Sequence, residues 1–525
     1  MQELFFFGNF EGLSFEKKES ECYNNYVCAF IKRMPGKKPD LCGRTHGKAH
    51  LKGEYWIMEE KKRGSFGGSI GFVLAAAGSA VGLGNIWRFP ALAAKDGGGL
   101  FLVIYLVLAV TFGFTLLLTE VAIGRKTKQS PLTAYGKLNK KCGWIGPFAC
   151  AVPFIIMPYY CVIGGWVLKY FITFLTGQGE AATEAGFFGG FITAQYEPII
   201  FTVIFLLICA VIIFAGVGKG IERVSKIIMP VLLVLVVGIS IYSLTLKNTN
   251  SSGETVTGMD GLKVYLVPDL EGLTFSKFMT TVMDALGQLF YSISVAMGIM
   301  VTYGSYVGDD TNMVKSVNQI EIFDTVVAFL AGVMIIPAVY VFAGVEGMQA
   351  GPSLMFVALP KVFAAMGPIG PFIGAVFFLM VLFAAVTSAM SILEAVVSSI
   401  IDKFKWKRRS ATIIESLMAL ALAVVVCLGY NEWYFESKLP NTPAGGSAQI
   451  LDFFDYISNN VLMPIVAITT CIMIGWVLKP QTVIDEVTKN GERLGRKNLF
   501  IVMVKFIAPV LLFTLLLMAV GILKF

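Results

Sequence analysis

The sequence predicts an all-α polytopic membrane protein of eleven transmembrane helices, arranged as a 5+5 inverted repeat in which helices 1 and 6 are broken. Three observations predict it. Of the 525 residues, 56% are hydrophobic and only 15% charged, against about 25% charged in soluble chains; a soluble surface does not hide that excess, whereas lipid absorbs it. Apolar stretches of about 20 residues recur along the chain, each long enough to cross hydrocarbon. Polar or glycine-rich interruptions then sit inside two of those stretches, five spans apart. The composition excludes a nucleic-acid-binding protein and a secreted disulfide scaffold, and the net charge of +7 is modest enough to come from loops.

Residues 1–57 differ from the rest. They carry nine Lys/Arg, seven Asp/Glu, three of the nine cysteines and both histidines of the chain. The early FFF is too short for a signal-peptide core. Cys42, His46 and His50 lack a fourth ligand at a usual spacing, so no zinc site is expected. This segment reads as a disordered or mis-annotated extension, with Met58 of MEEKKRG as the expected start. Residues 58–525 then form a single membrane domain: 58–247 the first repeat, 248–478 the second, and 479–525 a loop with span 11.

The spans fall near 66–90, 98–123, 148–175, 198–215, 222–246, 277–305, 316–345, 371–401, 411–429, 449–478 and 499–523. Helices are required because only helices and closed barrels satisfy their backbone groups in lipid, and the alternating strands of a barrel are missing. Lys61, Lys62 and Arg63 precede span 1. Arg125, Lys126, Lys128, Lys137, Lys140 and Lys141 separate spans 2 and 3, and Lys403, Lys405, Lys407, Arg408 and Arg409 separate spans 8 and 9. These are alternate loops, and basic loops face the cytoplasm. Glu180, Glu184, Glu432 and Glu436 lie in the opposite loops. The expected arrangement in the cell inner (plasma) membrane has the N-terminus inside and Phe525 outside.

Span 1 contains GSAVGLGN at 78–85. Each interior glycine costs a helix about 1 kcal/mol relative to alanine, and freed carbonyls cannot face lipid. Close packing of small residues would explain one such segment. Span 6, however, carries YSISVAMG at 291–298, and a unit repeated after five spans is inverted. Paired interruptions at corresponding places in inverted halves point to the binding site of a secondary transporter.

Charges inside spans need partners or roles. Arg88 follows the span 1 break and Asp455 opens span 10 on the same predicted outer side, so the two are expected to pair as a gate. Asp324 lies in span 7, Glu120 in span 2 and Glu394 in span 8, the last two also compatible with helix packing. TSAMS at 387–391 gives span 8 three hydroxyls, a weak signal alone because Ser and Thr often bond to their own helix. Oxygen donors from broken helices, hydroxyls and a carboxylate together suit a hard alkali cation. With no histidine in the spans, sodium coupling is favoured over proton coupling.

The motifs AGSAVGLGNIWRFP (77–90), DGGG (96–99), GKGIERVSKIIMP (218–230), GQLFYSISVAMG (287–298), TYGSYV (302–307) and AAVTSAMS (384–391) make residues 58–525 resemble a bacterial member of the neurotransmitter:sodium symporter family. The resemblance implies a sodium-coupled importer of a neutral, hydrophobic or aromatic amino acid working by alternating access, and not an enzyme. It implies one sodium site from Ala80, Asn85, Ser292, Asp324 and the substrate carboxylate, and a second from Gly78, Val81, Ala384, Thr387 and Ser388. Leu83, Gly84 and Tyr160 would meet the substrate carboxylate; Ala80, Tyr291 and Ser292 its amine; Ile156, Ser294, Met297 and Ile392, with Ser388 nearby, its side chain. Arg88 and Asp455 would form the outer gate over Tyr160 and Tyr291, and Arg63, Asp402 and Tyr306 the inner gate. Gly220 and Pro230 resemble the ends of the family's span 5 motif, where the helix unwinds.

Departures refine this. Asp324 replaces a common Asn, which implies transport independent of chloride. Gly82 stands where monoamine carriers hold an acid, so the substrate must bring its own carboxylate. Met297 replaces an aromatic contact and suits large apolar side chains. The usual twelfth span is absent. A proton-coupled amino-acid permease and a non-transporting amino-acid sensor on the same fold are the alternatives.

Overall fold

The computed structural model describes residues 64–249, 254–348, 351–440 and 447–524. The expectations for residues 1–57, for a start at Met58 and for Arg63 fall outside the described residues. The described chain is an all-α membrane protein. Its first predicted span is two helices, α1 (Ser69–Ala80) and α2 (Gly84–Lys95), bent by 55° at residues 81–83. The bend follows from the glycines: Val81 leaves the helical region at φ −74°, ψ 90°, and the next three-residue turn carries Gly82 and Gly84.

Seven long apolar helices complete most of the predicted set together with the two closing ones. They are α3 (Gly99–Thr127), α4 (Lys140–Leu175), α5 (Glu197–Ala215) and α6 (Val217–Thr245) in the first half. The second half opens on the other predicted interruption, α7 (Phe275–Ser292) and α8 (Ile299–Tyr306); among the described residues nine helices, or ten with the bent α1–α2 pair, are long and apolar enough to cross a membrane, against the eleven spans expected. It continues with α9 (Met313–Ala343), α10 (Gly367–Phe404), α11 (Arg408–Leu428), α12 (Ile450–Val477) and α13 (Lys497–Ala519). Several helices run a turn or more past their apolar stretch, as α4 does from Lys140. Hydropathy marks the depth of hydrocarbon, while backbone hydrogen bonds continue into the interface. Pro153 and Pro158 sit inside α4 without ending it, because neighbouring helices pack on both sides of the gap. Short connecting helices (Pro131–Leu138, Gly258–Leu266, Gln481–Val487) and a hairpin pairing Lys247–Thr249 with Thr255–Thr257 were not predicted, being too brief or too polar to leave a hydropathy signal.

The core of the bundle is the packing of α10 against α4, with α5 and α11 outside them and α6 against α9. Residues facing outward are apolar, Val211 at 69% and Val234 at 70% exposure among them, as a lipid-facing belt requires. Around the broken helices the packing is backbone on backbone. A Cβ at Gly124 of α3 would stand 2.0 Å from the Val301 carbonyl oxygen, and one at Gly304 of α8 would stand 2.4 Å from that of Val121. The DGGG segment has the same cause. Gly98, at φ +55°, lets the chain pass the helix Gly258–Leu266, where a Cβ would meet the Val264 carbonyl at 2.2 Å. The Asp269 N–H donates to the Gly97 carbonyl at 3.1 Å.

Seating α8 on α3 through Gly124 and Gly304 predicts that Gly304→Leu lowers stability by at least about 1–3 kcal/mol, the usual cost of overpacking. A thermal melt followed by size-exclusion chromatography in detergent reads this out; an unchanged melting temperature refutes the close contact.

Candidate functional site

The two interruptions face each other. In the α7–α8 break, Ser294 (φ 54°), Ala296 (φ 60°) and Gly298 (φ 69°) adopt the left-handed region, which costs a non-glycine residue about 1–2 kcal/mol. Side chains hold the strained turn in place. The Ser294 hydroxyl donates to the Ser79 carbonyl at 3.0 Å, and the buried Glu120 carboxylate accepts the Ala296 N–H at 2.6 Å. On the α2 side, the Gln288 amide donates to the Gly84 carbonyl at 3.1 Å. Glu120 therefore has a defined role, and Gln288 one that the sequence did not single out.

Between the breaks lies a narrow cavity. Its wall includes Ala80, Leu83 and Gly84 from the first break and Tyr291, Ser292, Ser294 and Met297 from the second. Ile156 and Tyr160 of α4 and Ser388 and Ile392 of α10 close it. All the residues assigned to substrate by resemblance are thus brought to one place, joined by Ser79, Gly82, Asn85 and Ile299. The Tyr160 hydroxyl is buried there without a partner. A Cβ at Gly82 would lie 2.9 Å from Ser388 Oγ and 3.4 Å from the Tyr160 hydroxyl, so a larger residue would have to displace those side chains.

Two oxygen clusters flank the cavity. In the first, Asn85 Nδ2 donates to Asp324 Oδ1 at 2.8 Å, and the Ser292 hydroxyl reaches Asn85 Oδ1 at 2.9 Å and Asp324 Oδ1 at 2.8 Å. Asp324 is wholly buried and its Oδ2 has no hydrogen-bond partner, which leaves acceptor capacity for a cation. In the second, the Ser388 hydroxyl lies 3.0 Å from the carbonyl oxygen of Ser79 and 3.5 Å from those of Gly78 and Val81. The Thr387 hydroxyl bonds back to the carbonyls of Phe383 (3.0 Å) and Ala384 (3.1 Å). The break in α1 thus puts carbonyls beside hydroxyls from α10.

The outer gate differs from the expected pair. Among the described residues Arg88 and Asp455 form no ion pair. The Asp455 carboxylate is taken by Asn459, one turn further on, whose amide donates at 2.6 Å; that amide also reaches the Tyr159 hydroxyl at 3.1 Å. Arg88 instead lines a small cavity with Tyr291 and Asn459. At the other face Tyr306 donates to Glu394 Oε1 at 2.5 Å, and Arg408 clasps both oxygens of Glu394 at 2.6 and 2.8 Å. Asp402 accepts the Ser130 N–H at 2.6 Å, and the Phe66 N–H donates to the Tyr306 carbonyl at 3.2 Å. Glu222 also matters: it accepts the Gly67 N–H at 2.8 Å, tying the start of α1 to α6. Its place within the span 5 motif was the only hint.

The comparisons agree with this geometry. A sequence profile described as the sodium:neurotransmitter symporter family matches residues 63–181 and 197–524. The chain belongs to the sodium:neurotransmitter symporter family. It is a sodium-dependent symporter and a multi-pass membrane transporter, not an enzyme. A sodium-dependent transporter of Bacillus subtilis, YhdH, is 32% identical, spanning 89% of this chain and all of that protein. The human sodium- and chloride-dependent GABA transporter 2 is 25% identical over 84% of this chain and 79% of its own. The crystal structure of MhsT in complex with L-phenylalanine superposes with a TM-score of 0.75 at 33% identity, covering 87% of this chain and 100% of that one.

Near the end of α2, Lys95 reaches Asp284 of α7 at 2.8 Å and Asp96 at 3.8 Å. Burial first, then the Asp284 charge, pushes the Asp96 carboxyl up to about 7, against the opposing pull of Lys95. A raised value means that the folded state favours the protonated acid. The contribution is complete below about pH 4 and is lost as pH rises through 7. The melting temperature should therefore fall between about pH 4 and pH 7 and level off above that, and Asp96→Asn should flatten that slope; an equal slope in the variant counts against it.

Proposed function

We propose that this symporter imports a neutral, hydrophobic or aromatic amino acid together with sodium, by alternating access. The observation that carries the reading is the wall of the central cavity. Residues of the two helix breaks (Ala80, Leu83, Gly84, Tyr291 and Ser292) line it, and their backbone N–H groups and carbonyls would meet the substrate's charged ends, while Ile156, Met297 and Ile392 make the remainder apolar. No acidic side chain lines the cavity among the described residues, and one at Gly82 would have to displace Ser388 and Tyr160. A substrate amine would find carbonyls there, and the carboxylate must come with the substrate. The L-phenylalanine named for MhsT fits this class.

Two sodium ions are assigned. The first would use Ala80, Asn85, Ser292, Asp324 and the substrate carboxylate; the second Gly78, Val81, Ala384, Thr387 and Ser388. Asp324, buried with one free oxygen, supplies a fixed negative charge next to the first ion, so no chloride is needed. Chloride appears in the name of the human relative, and the carboxylate takes its electrostatic part here. The basic loops support an orientation with the N-terminal side of α1 in the cytoplasm and the end of α13 outside, in the cell inner membrane. Arg88 and Asp455 guard the outer entrance without direct contact, and Asp402 and Tyr306, with Arg63, the inner one.

Proteoliposomes test this directly. A sodium gradient should drive accumulation of labelled phenylalanine, tryptophan or leucine, and potassium replacement should abolish it. Asn85→Ala and Thr387→Ala should each lower apparent sodium affinity about tenfold, since each removes a buried ligand worth 1–3 kcal/mol; normal sodium dependence in both overturns the assignment. Replacing chloride with gluconate should leave uptake unchanged, and a strict chloride requirement refutes the role given to Asp324.

A further inference from the structure

The last helix, α13, belongs to neither predicted repeat, and the residue immediately before it is Arg496. The Arg496 side chain leaves α13 and enters the junction of α3 and α9, and its hydrogen bonds go to those two helices. A guanidinium among membrane helices is costly unless it is paired, and such groups usually mark function. Its partners show what this one holds.

On α9 the fork takes two residues one turn apart. Nη2 donates to Asn318 Oδ1, and Nη1 and Nη2 face the two oxygens of Glu321 at 3.5 and 3.3 Å. Glu321 is buried and pairs with no other cation among the described residues. The next position at the same three-residue spacing is Asp324, wholly buried, whose Oδ1 meets Asn85 and Ser292. Residues three apart are neighbours on a helix surface. Pinning Asn318 and Glu321 therefore fixes the rotation of the turn that leads to Asp324.

On α3 the same group meets a defect. Ala109–Gly113 is a π-bulge, a local widening of the helix that is frequent at functional sites. Arg496 Nη1 donates to the Val110 carbonyl inside it at 2.6 Å, and the guanidinium lies 3.6 Å from the Phe114 ring centroid. The bulge in turn packs on α7 beside Ser292. A Cβ at Gly113 would stand 3.4 Å from Leu289 and 3.5 Å from Ile293, and the Phe112 and Phe290 rings meet edge to face at 6.3 Å.

One guanidinium thus braces the α9 turn that leads to Asp324 and the α3 bulge that packs beside Ser292. We propose that Arg496 is a positioning residue for the first sodium site, holding Asp324 and Ser292 at the separation the ion needs. The inference rests on the sodium site of the proposed function, and Arg496 itself touches neither ion nor substrate. A lysine can pair with Glu321 but, as a point charge without a planar fork, cannot serve Val110, Asn318 and Glu321 together. Action through charge alone has the opposite consequence: removing the cation leaves Glu321 unpaired one turn from Asp324, and sodium would bind more tightly. The direction of the change therefore separates the two roles.

Binding of labelled sodium ion to the purified full-length protein in detergent tests this. Arg496→Gln should raise the sodium concentration for half-saturation about tenfold, as the loss of hydrogen bonds from a charged donor does, and Arg496→Lys should raise it less. An arginine that only anchors α13 would lower the melting temperature and leave half-saturation in place. Combined with Asp324→Asn, Arg496→Gln should add less than its separate effect, because both act on one ligand; combined with Thr387→Ala at the second cluster it should add its effect in full. Half-saturation unchanged or lowered in Arg496→Gln, or an effect independent of Asp324→Asn, overturns the proposal. If Asn85→Ala weakens sodium binding and Arg496→Gln does not, the positioning role fails and the site stands; if neither does, the site assignment fails with it. Size-exclusion elution establishes that each variant is folded. Should Arg496→Gln not be, Arg496→Lys and Asn318→Ala decide, each expected to raise half-saturation.

Discussion

Everything at the centre of this symporter depends on one constraint: a backbone N–H or carbonyl inside hydrocarbon must have a partner. Breaking two helices at mid-depth frees several such groups at once. The protein answers them with side chains from the opposite broken helix and from neighbouring helices. Glu120 takes the Ala296 N–H, Gln288 gives to Gly84, and Ser294 and Ser388 give to Ser79. Under the proposed function, substrate and sodium would answer further groups at the cavity between the two breaks.

The same logic explains where glycines are indispensable. Gly82 makes room beside Ser388 and Tyr160; Gly124 and Gly304 let α3 and α8 touch through their backbones. Without a hydrophobic force between helices in lipid, such close approach is what gives them cohesion. Gly98 serves a loop in the same way.

The two faces are closed by different means. On the basic face, Tyr306, Glu394 and Arg408 form a continuous chain from α8 through α10 to α11, and Glu222 anchors the start of α1. On the opposite face Asp455 is engaged within its own helix and Arg88 stands apart, while Lys95 links α2 to α7 through Asp284. Rearranging the central helices has to break charged contacts at either end.

Much of this was legible in the sequence, for physical reasons. Hydrocarbon thickness sets a length scale, so apolar helices announce themselves; glycine and hydroxyl interruptions inside them are costly enough that their pairing identified the breaks, while the residues lining the cavity from α4 and α10 came from the family resemblance. What the sequence could not supply were the partners separated by scores of residues. Gln288 facing Gly84, Glu120 capping Ala296, Arg408 reaching Glu394 and Asn459 displacing Arg88 from Asp455 leave no local pattern, because their meaning lies in distances of about 3 Å between helices. Boundaries and short connecting helices escaped for a related reason: hydropathy reports the solvent that a residue faces, not where its backbone hydrogen bonds end. By itself the sequence determined that the chain is a bundle of apolar helices and where two of them break; only the tertiary structure decided which side chains answer the freed backbone, because that is settled by packing between helices rather than along them.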